Sequence, residues 1–129
     1  MTKRAGKGQL KNKFEKKLSD LLQAQWGKAN VEYEKTTLLY KIDETRRYTP
    51  DFRLKGSTLI VEGKGKFTNQ DRKKMVLIKE QFPDLRVCMF FVSADKPLYK
   101  GSKTSYGAWC SKAGIAWSDL KRGLPADWK

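Results

Sequence analysis

Arg86-Val87-Cys88-Met89-Phe90-Phe91-Val92 is a strongly apolar run, and it leaves few folds open to the chain. A strand with one wet face alternates apolar and polar residues, whereas this run does not, so it reads as a buried strand. It is also much shorter than the roughly 20 apolar residues that span a bilayer. Thr58-Leu59-Ile60-Val61-Glu62, apolar and β-branched, reads as a second central strand. A helix lies between them. Thr68 is its N-cap with Asp71 three residues on, Met75, Ile78 and Phe82 share one face, and Pro83 follows the end. Strand, helix and strand of these lengths admit a parallel crossover, so the expected class is α/β.

The flanking segments supply the remaining elements. Phe14, Leu18, Leu21, Leu22 and Gln25 recur at helical spacing, which predicts an amphipathic helix ending near Trp26-Gly27. Glu15 lies one step off that stripe, at the edge of the face to be buried. Val31 to Glu34 and Leu38 to Ile42 read as strands, and Asp43 to Arg47 as a polar turn. Tyr48 to Leu54 alternates as one strand with Thr49, Asp51 and Arg53 on its polar side. Lys55-Gly56-Ser57 then turns the chain into the Thr58–Glu62 strand, closing a hairpin. Ser105 caps a short helix running through Lys112 and ended by Gly114, and the tail with Trp117 and Trp128 packs back on the core. Residues 1–12 are rich in Lys and Gly without apolar periodicity, so they read as a flexible basic arm ahead of one domain, 13–129.

Charge points to the partner. The chain carries 28 Lys and Arg against 14 Asp and Glu, a formal net charge of +14. Such a surface implies an anionic partner, most often nucleic acid. A charge-rich solvated surface, or a basic DNA- or RNA-binding protein without chemistry, would show the same balance. The chain has no histidine, which removes Ser-His-Asp and Cys-His machinery, histidine-ligated zinc and any histidine general base. Cys88 and Cys110 sit among apolar residues and read as buried free thiols in a reducing, cytoplasmic setting. No secretory signal, membrane span or small-molecule substrate is indicated. Hydrolysis, if this chain performs it, must rest on carboxylates, lysines and a hard metal ion.

Those residues are concentrated at Pro50-Asp51 and, after ten intervening residues, Glu62-Gly63-Lys64. Period-two alternation puts Glu62 and Lys64 on one side of their strand, and Asp51 can face them across the hairpin. Carboxylates of this kind hold Mg²⁺, which prefers oxygen ligands, while a nearby lysine orients a water or stabilises developing charge on a phosphate. Singly, an Asp in a hairpin or a Glu-x-Lys is common on a solvated strand face. Together they carry weight, because a central strand rarely ends in a carboxylate and a lysine without a partner. Glu15 is the best further carboxylate for a second metal ion. Gly63-Lys64-Gly65-Lys66 is not a phosphate loop: Thr58 stands where the leading glycine belongs, and Gly65 where Ser or Thr should follow the lysine.

This arrangement resembles the PD-(D/E)xK nuclease superfamily. The segments Tyr48-Thr49-Pro50-Asp51-Phe52, Val61-Glu62-Gly63-Lys64-Gly65, Asp71-Arg72-Lys73-Lys74, Leu98-Tyr99-Lys100-Gly101-Ser102 and Thr104-Ser105-Tyr106-Gly107 more specifically resemble phage endonuclease I of the T-seven type. Those enzymes are Holliday-junction resolvases. The resemblance implies a restriction-endonuclease-like mixed sheet flanked by helices, in an intertwined, domain-swapped homodimer. Residues 13–35 would pass to the partner chain, 36–47 would form the bridge and 48–129 the catalytic core. It further implies Asp51, Glu62 and the Gly63 carbonyl as metal ligands, Lys64 as the catalytic lysine, and Glu15 of one subunit completing the Asp51 cluster of the other. The expected cofactor is Mg²⁺, replaceable by Mn²⁺, with one or two ions per site. The expected substrate is the four-way junction and other branched DNA, cut in the host-cell cytoplasm. Lys11, Lys13, Lys16, Arg72, Lys73 and Lys74 are the candidate phosphate contacts, each of which could equally lie on a solvated helix face.

Overall fold

The computed structural model describes residues 12–42 and 44–129. In chain order the elements are α1 (Lys13–Trp26), β1 (Val31–Tyr33), β2 (Leu38–Lys41), β3 (Thr45–Tyr48), β4 (Phe52–Leu54), β5 (Leu59–Lys64), α2 (Asn69–Gln81), β6 (Arg86–Phe91), α3 (Tyr106–Ala113) and β7 (Ala116–Asp119). Five strands form one mixed sheet in the order β1-β4-β5-β6-β7, and β2 and β3 pair separately. β1, β4 and β5 are antiparallel neighbours, whereas β5, β6 and β7 run parallel. The α/β class, the β4–β5 hairpin and the crossover through α2 all match expectation.

The sheet is covered on both sides, which explains why its central strands lack polar alternation. Leu59 and Val61 of β5 and Cys88 and Phe90 of β6 join Leu18, Leu22 and Trp26 of α1 and Trp128 in one core. Ile60, Met89 and Phe91 take the other face with Met75 and Ile78 of α2 and Tyr106 and Cys110 of α3. A fully buried apolar side chain contributes about 1.5–3 kcal/mol, so these two layers dominate the stability. Among the described residues, no helix is long and apolar enough to cross a membrane.

Local chemistry sets the helix ends. Asn12 accepts from the Glu15 N–H at 2.9 Å and caps α1. Thr68 and Asp71 form a reciprocal capping box on α2. Ser105 caps α3, and Gly114 ends it in the left-handed region at φ 74°.

Two segments depart from the sequence-based expectation. Thr45 to Arg47, expected as a turn, belongs to β3 and pairs with β2; Asp43, part of the same expectation, lies outside the described residues. Tyr48 to Leu54 is not one strand. Tyr48 ends β3, Phe52 begins β4, and Pro50 lies between, where its missing N–H suits a break in the ladder. β7 has little signature of its own, since Ala116-Trp117-Ser118-Asp119 carries one large apolar residue. The expected basic arm falls almost wholly on residues 1–11, outside the described part.

Candidate active site

The break at Pro50 sets Asp51 just ahead of β4, and the Phe52–Val61 pairing brings it level with the end of β5. There the Gly63 N–H donates to Asp51 Oδ2 at 3.0 Å. Gly63 also permits the close approach of α1: a Cβ at this position would lie 3.1 Å from Phe14 and 3.2 Å from Leu18. α1 thereby carries Glu15 to the same place, and both Glu15 and Asp51 are buried. Glu34 arrives from the end of β1, with its N–H donating to the Asp51 carbonyl at 3.1 Å. Among the described residues it is the one non-glycine with positive φ, 53°, a conformation held only where surrounding structure imposes it. Carboxylate oxygens of Glu15, Glu34 and Asp51 all lie within 4.8 Å of one another.

A second group stands on the α2 side of Gly63. Lys64 Nζ lies 3.6 Å from Glu62 Oε2 and 3.4 Å from Asp71 Oδ1. Burial opposes the charge on Lys64, but the carboxylates of Glu62, Asp71 and Asp51 outweigh it and raise its pKa, so the side chain is an ammonium at neutral pH. Burial likewise works against the Asp71 carboxylate, yet hydrogen bonds from Thr68 and the charge of Lys64 hold it below the usual range. Two tyrosines finish the arrangement. Tyr33 Oη donates to Glu15 Oε1 and Tyr48 Oη to Glu62 Oε1, each at 2.8 Å. Burial first, then the adjacent carboxylates, raises the pKa of both phenols, which keeps them donors.

Thus Glu15, Asp51, Glu62, Gly63 and Lys64 converge at one end of β5, with Glu15 beside Asp51 of its own chain. Glu62 is outside the three-carboxylate group and is linked to it through Gly63 and Asp51. Glu34 was not anticipated, because Val31-Glu32-Tyr33-Glu34 looks like an ordinary alternating strand and the positive φ has no signature there. The roles of Tyr33 and Tyr48 were equally hidden, as was the pairing of Asp71 with Lys64, although the Thr68–Asp71 cap was expected. The donor set fits a hard cation: it is all oxygen, and like charges crowded in a dry site cost free energy that a bound Mg²⁺ would offset.

The expected phosphate contacts are less uniform. Lys13, Lys16 and Lys73 are exposed, and Lys16 lies 3.5 Å from Asp20. Arg72 donates to the Phe67 carbonyl at 2.7 Å, and Lys74 sits 5.8 Å from the centre of the Tyr48 ring, so both are partly engaged within the fold. Lys11 lies outside the described residues. A cleft of about 410 Å³ lined by Ile42, Arg72, Lys73, Val76, Leu77 and Trp109 contains no carboxylate and offers no metal chemistry.

Comparison with known proteins gives the kinship. The family model for phage endonuclease I matches residues 1–129. Endonuclease I of Escherichia phage T7 is 41% identical over 122 residues, covering 94% of this chain and 78% of that protein. Endodeoxyribonuclease 1 of Enterobacteria phage T3 is 43% identical over 107 residues, covering 82% and 68% respectively. The chain belongs to the phage endonuclease I family. Within a chain of this family, the convergence of Glu15, Glu34, Asp51, Glu62 and Lys64 on one sheet end is its candidate catalytic centre.

Proposed function

We propose that this chain is a metal-dependent DNA endonuclease that resolves four-way junctions and other branched DNA in the host-cell cytoplasm. The carrying observation is the Glu15–Glu34–Asp51 cluster beside the Lys64–Glu62 pair, in a chain of the phage endonuclease I family. Glu15, Glu34 and Asp51 would hold Mg²⁺, or Mn²⁺ in its place, with Glu62 and the Gly63 carbonyl available to a first or second ion. A metal ion held by these residues would lower the pKa of a water and neutralise charge on the scissile phosphate.

The chain's own groups do the rest. Lys64, an ammonium held by Glu62 and Asp71, presents a positive charge to the phosphate and stabilises charge developing on it. Tyr33 and Tyr48 orient Glu15 and Glu62 by hydrogen bonds. The net charge of +14 draws the polyanion to the protein.

The reading extends to a homodimer. Opening the β2–β3 hairpin would let α1 and β1 make their present contacts on a partner chain, giving two composite sites for two paired cuts. Mixing Glu15→Ala chains with Asp51→Ala chains would then restore one complete site per heterodimer. No recovery after verified subunit exchange counts against shared sites.

The decisive assay incubates a labelled four-way junction and a matched linear duplex with Mg²⁺ or with EDTA. Junction cutting that requires Mg²⁺ is expected, and Asp51→Ala or Lys64→Ala should lower it by at least about 10²- to 10³-fold while junction binding persists. Binding by the native chain without metal-dependent cutting would favour a basic nucleic-acid-binding protein instead. Equal cutting of the linear duplex would remove the junction preference.

A further inference from the structure

The segment between β6 and α3 takes no part in the metal chemistry, yet it leaves the sheet at the catalytic end. Lys64 is level with Phe91 in the parallel register, and the Val92 N–H donates to the Lys64 carbonyl at 3.0 Å. Its root is braced by the buried Asp119, which accepts from the Ala94 N–H at 2.9 Å and from the Arg122 guanidinium at 2.8 Å. Arg122 also reaches Asp95 at 3.1 Å, so the acidic residue nearest this loop is already engaged.

Beyond the root the chain doubles back as a small finger. The Tyr106 N–H donates to the Lys96 carbonyl at 2.9 Å, and the Leu98 N–H to the Thr104 carbonyl at 3.0 Å. A turn closes it, with the Ser102 N–H donating to the Tyr99 carbonyl at 2.9 Å and Gly101 at φ +88°. Leu98 packs inward against the core, while Tyr99 beside it is 66% exposed, above every other exposed large hydrophobic among the described residues. Lys96, Lys100 and Lys103 of the same finger are exposed, and residues 96–104 include no Asp or Glu.

An exposed ring on a lysine-rich finger has the chemistry of a base-stacking platform beside a phosphate track. Inside a continuous duplex both faces of each base are covered by neighbours. Only an unstacked base, of the kind a branch point exposes, can accept the ring. We propose that the Lys96–Thr104 finger contacts branched DNA, with Tyr99 stacking on an unstacked base at the branch while Lys96, Lys100 and Lys103 hold flanking phosphates. This rests on reading the chain as an enzyme of branched DNA.

The test uses the full chain and a four-way junction carrying 2-aminopurine at the branch, titrated in EDTA so that no cutting occurs. The native chain should change the fluorescence on binding. Tyr99→Ala should lose that change and bind the junction about tenfold more weakly, while Tyr99→Phe, which keeps the ring, should retain both. Lys100→Ala combined with Lys103→Ala should lower the slope of log affinity against log salt by roughly 1.5 to 2. A native chain that gives no signal, a Tyr99→Ala chain that behaves as native, or an equal loss of affinity on junction and linear duplex overturns the proposal. Failure of the cleavage reading is seen separately, as a native chain that binds the junction but does not cut it with Mg²⁺.

Discussion

Tyr48 and Glu62 share a buried hydrogen bond of 2.8 Å, and the Tyr48 hydroxyl is the only atom that Tyr48→Phe removes. If Glu62 holds a metal ion as proposed, losing this partner costs about 10- to 100-fold in metal affinity, while a hydrogen bond to a charged group also contributes about 1.5–3 kcal/mol to folding. Calorimetric titration with Mg²⁺ should therefore show the Tyr48→Phe variant weakened as well as less stable; lost stability with unaltered Mg²⁺ affinity would make Tyr48 a packing residue. Asp71 gives a prediction in pH. Its folded pKa is depressed, so its stabilisation is present above the ordinary 3.8 and is lost as pH falls through the lower folded value. Asp71→Asn should be less stable than the native chain by about 1 kcal/mol at pH 7, with the gap closing in acid; denaturant titrations at both pH values check it. The Tyr48–Glu62 bond was not legible beforehand, and of Asp71 only the cap with Thr68 was. Asp51, Glu62 and Lys64 stood out because a polar cluster at the end of an apolar strand is anomalous, while a tyrosine or a capping aspartate is ordinary wherever it occurs.

Elements that fold by local rules followed the sequence closely. Thr68 and Ser105 cap α2 and α3 and Gly114 ends α3 as expected, while Asn12, expected in the basic arm, caps α1; each needs only its neighbours along the chain. The pairing of β2 with β3 and the separate use of Tyr48 and Phe52 depend instead on which partner strand is at hand. α3 and β7 meet at Gly107, where a Cβ would lie 2.7 Å from the Trp117 ring. Gly107→Ala must push that ring away, and Trp117 is also stacked by Arg122 and bonded to Ser111 at 2.8 Å. A loss of about 1–3 kcal/mol is expected, measured by thermal or denaturant unfolding; no loss would mean that the α3–β7 contact yields easily.

Across the whole molecule, the tail around Trp128 is fastened to the end of α1. Trp26 at the end of α1 donates its indole N–H to the Trp128 carbonyl at 2.8 Å, and Gln25 reaches the Pro125 and Trp128 carbonyls at 3.1 Å. Trp128 is itself sealed into the core beneath α1. Trp128→Ala should cost about 3–5 kcal/mol and, by loosening the helix that delivers Glu15, should weaken Mg²⁺ binding as well as stability. Unfolding and metal titration on the same preparation test both parts; unaltered metal affinity would show that Glu15 is positioned without the tail. The sequence by itself determined the α/β class, the Asp51–Glu62–Lys64 cluster and the limits on its chemistry, since periodicity, net charge and the lack of histidine are properties of the chain alone. Tertiary structure alone decided that Glu34 joins Glu15 and Asp51, that two tyrosines orient the carboxylates, and that Tyr99 is turned outward. Those facts depend on distances between residues far apart in sequence, which packing sets and no local pattern encodes.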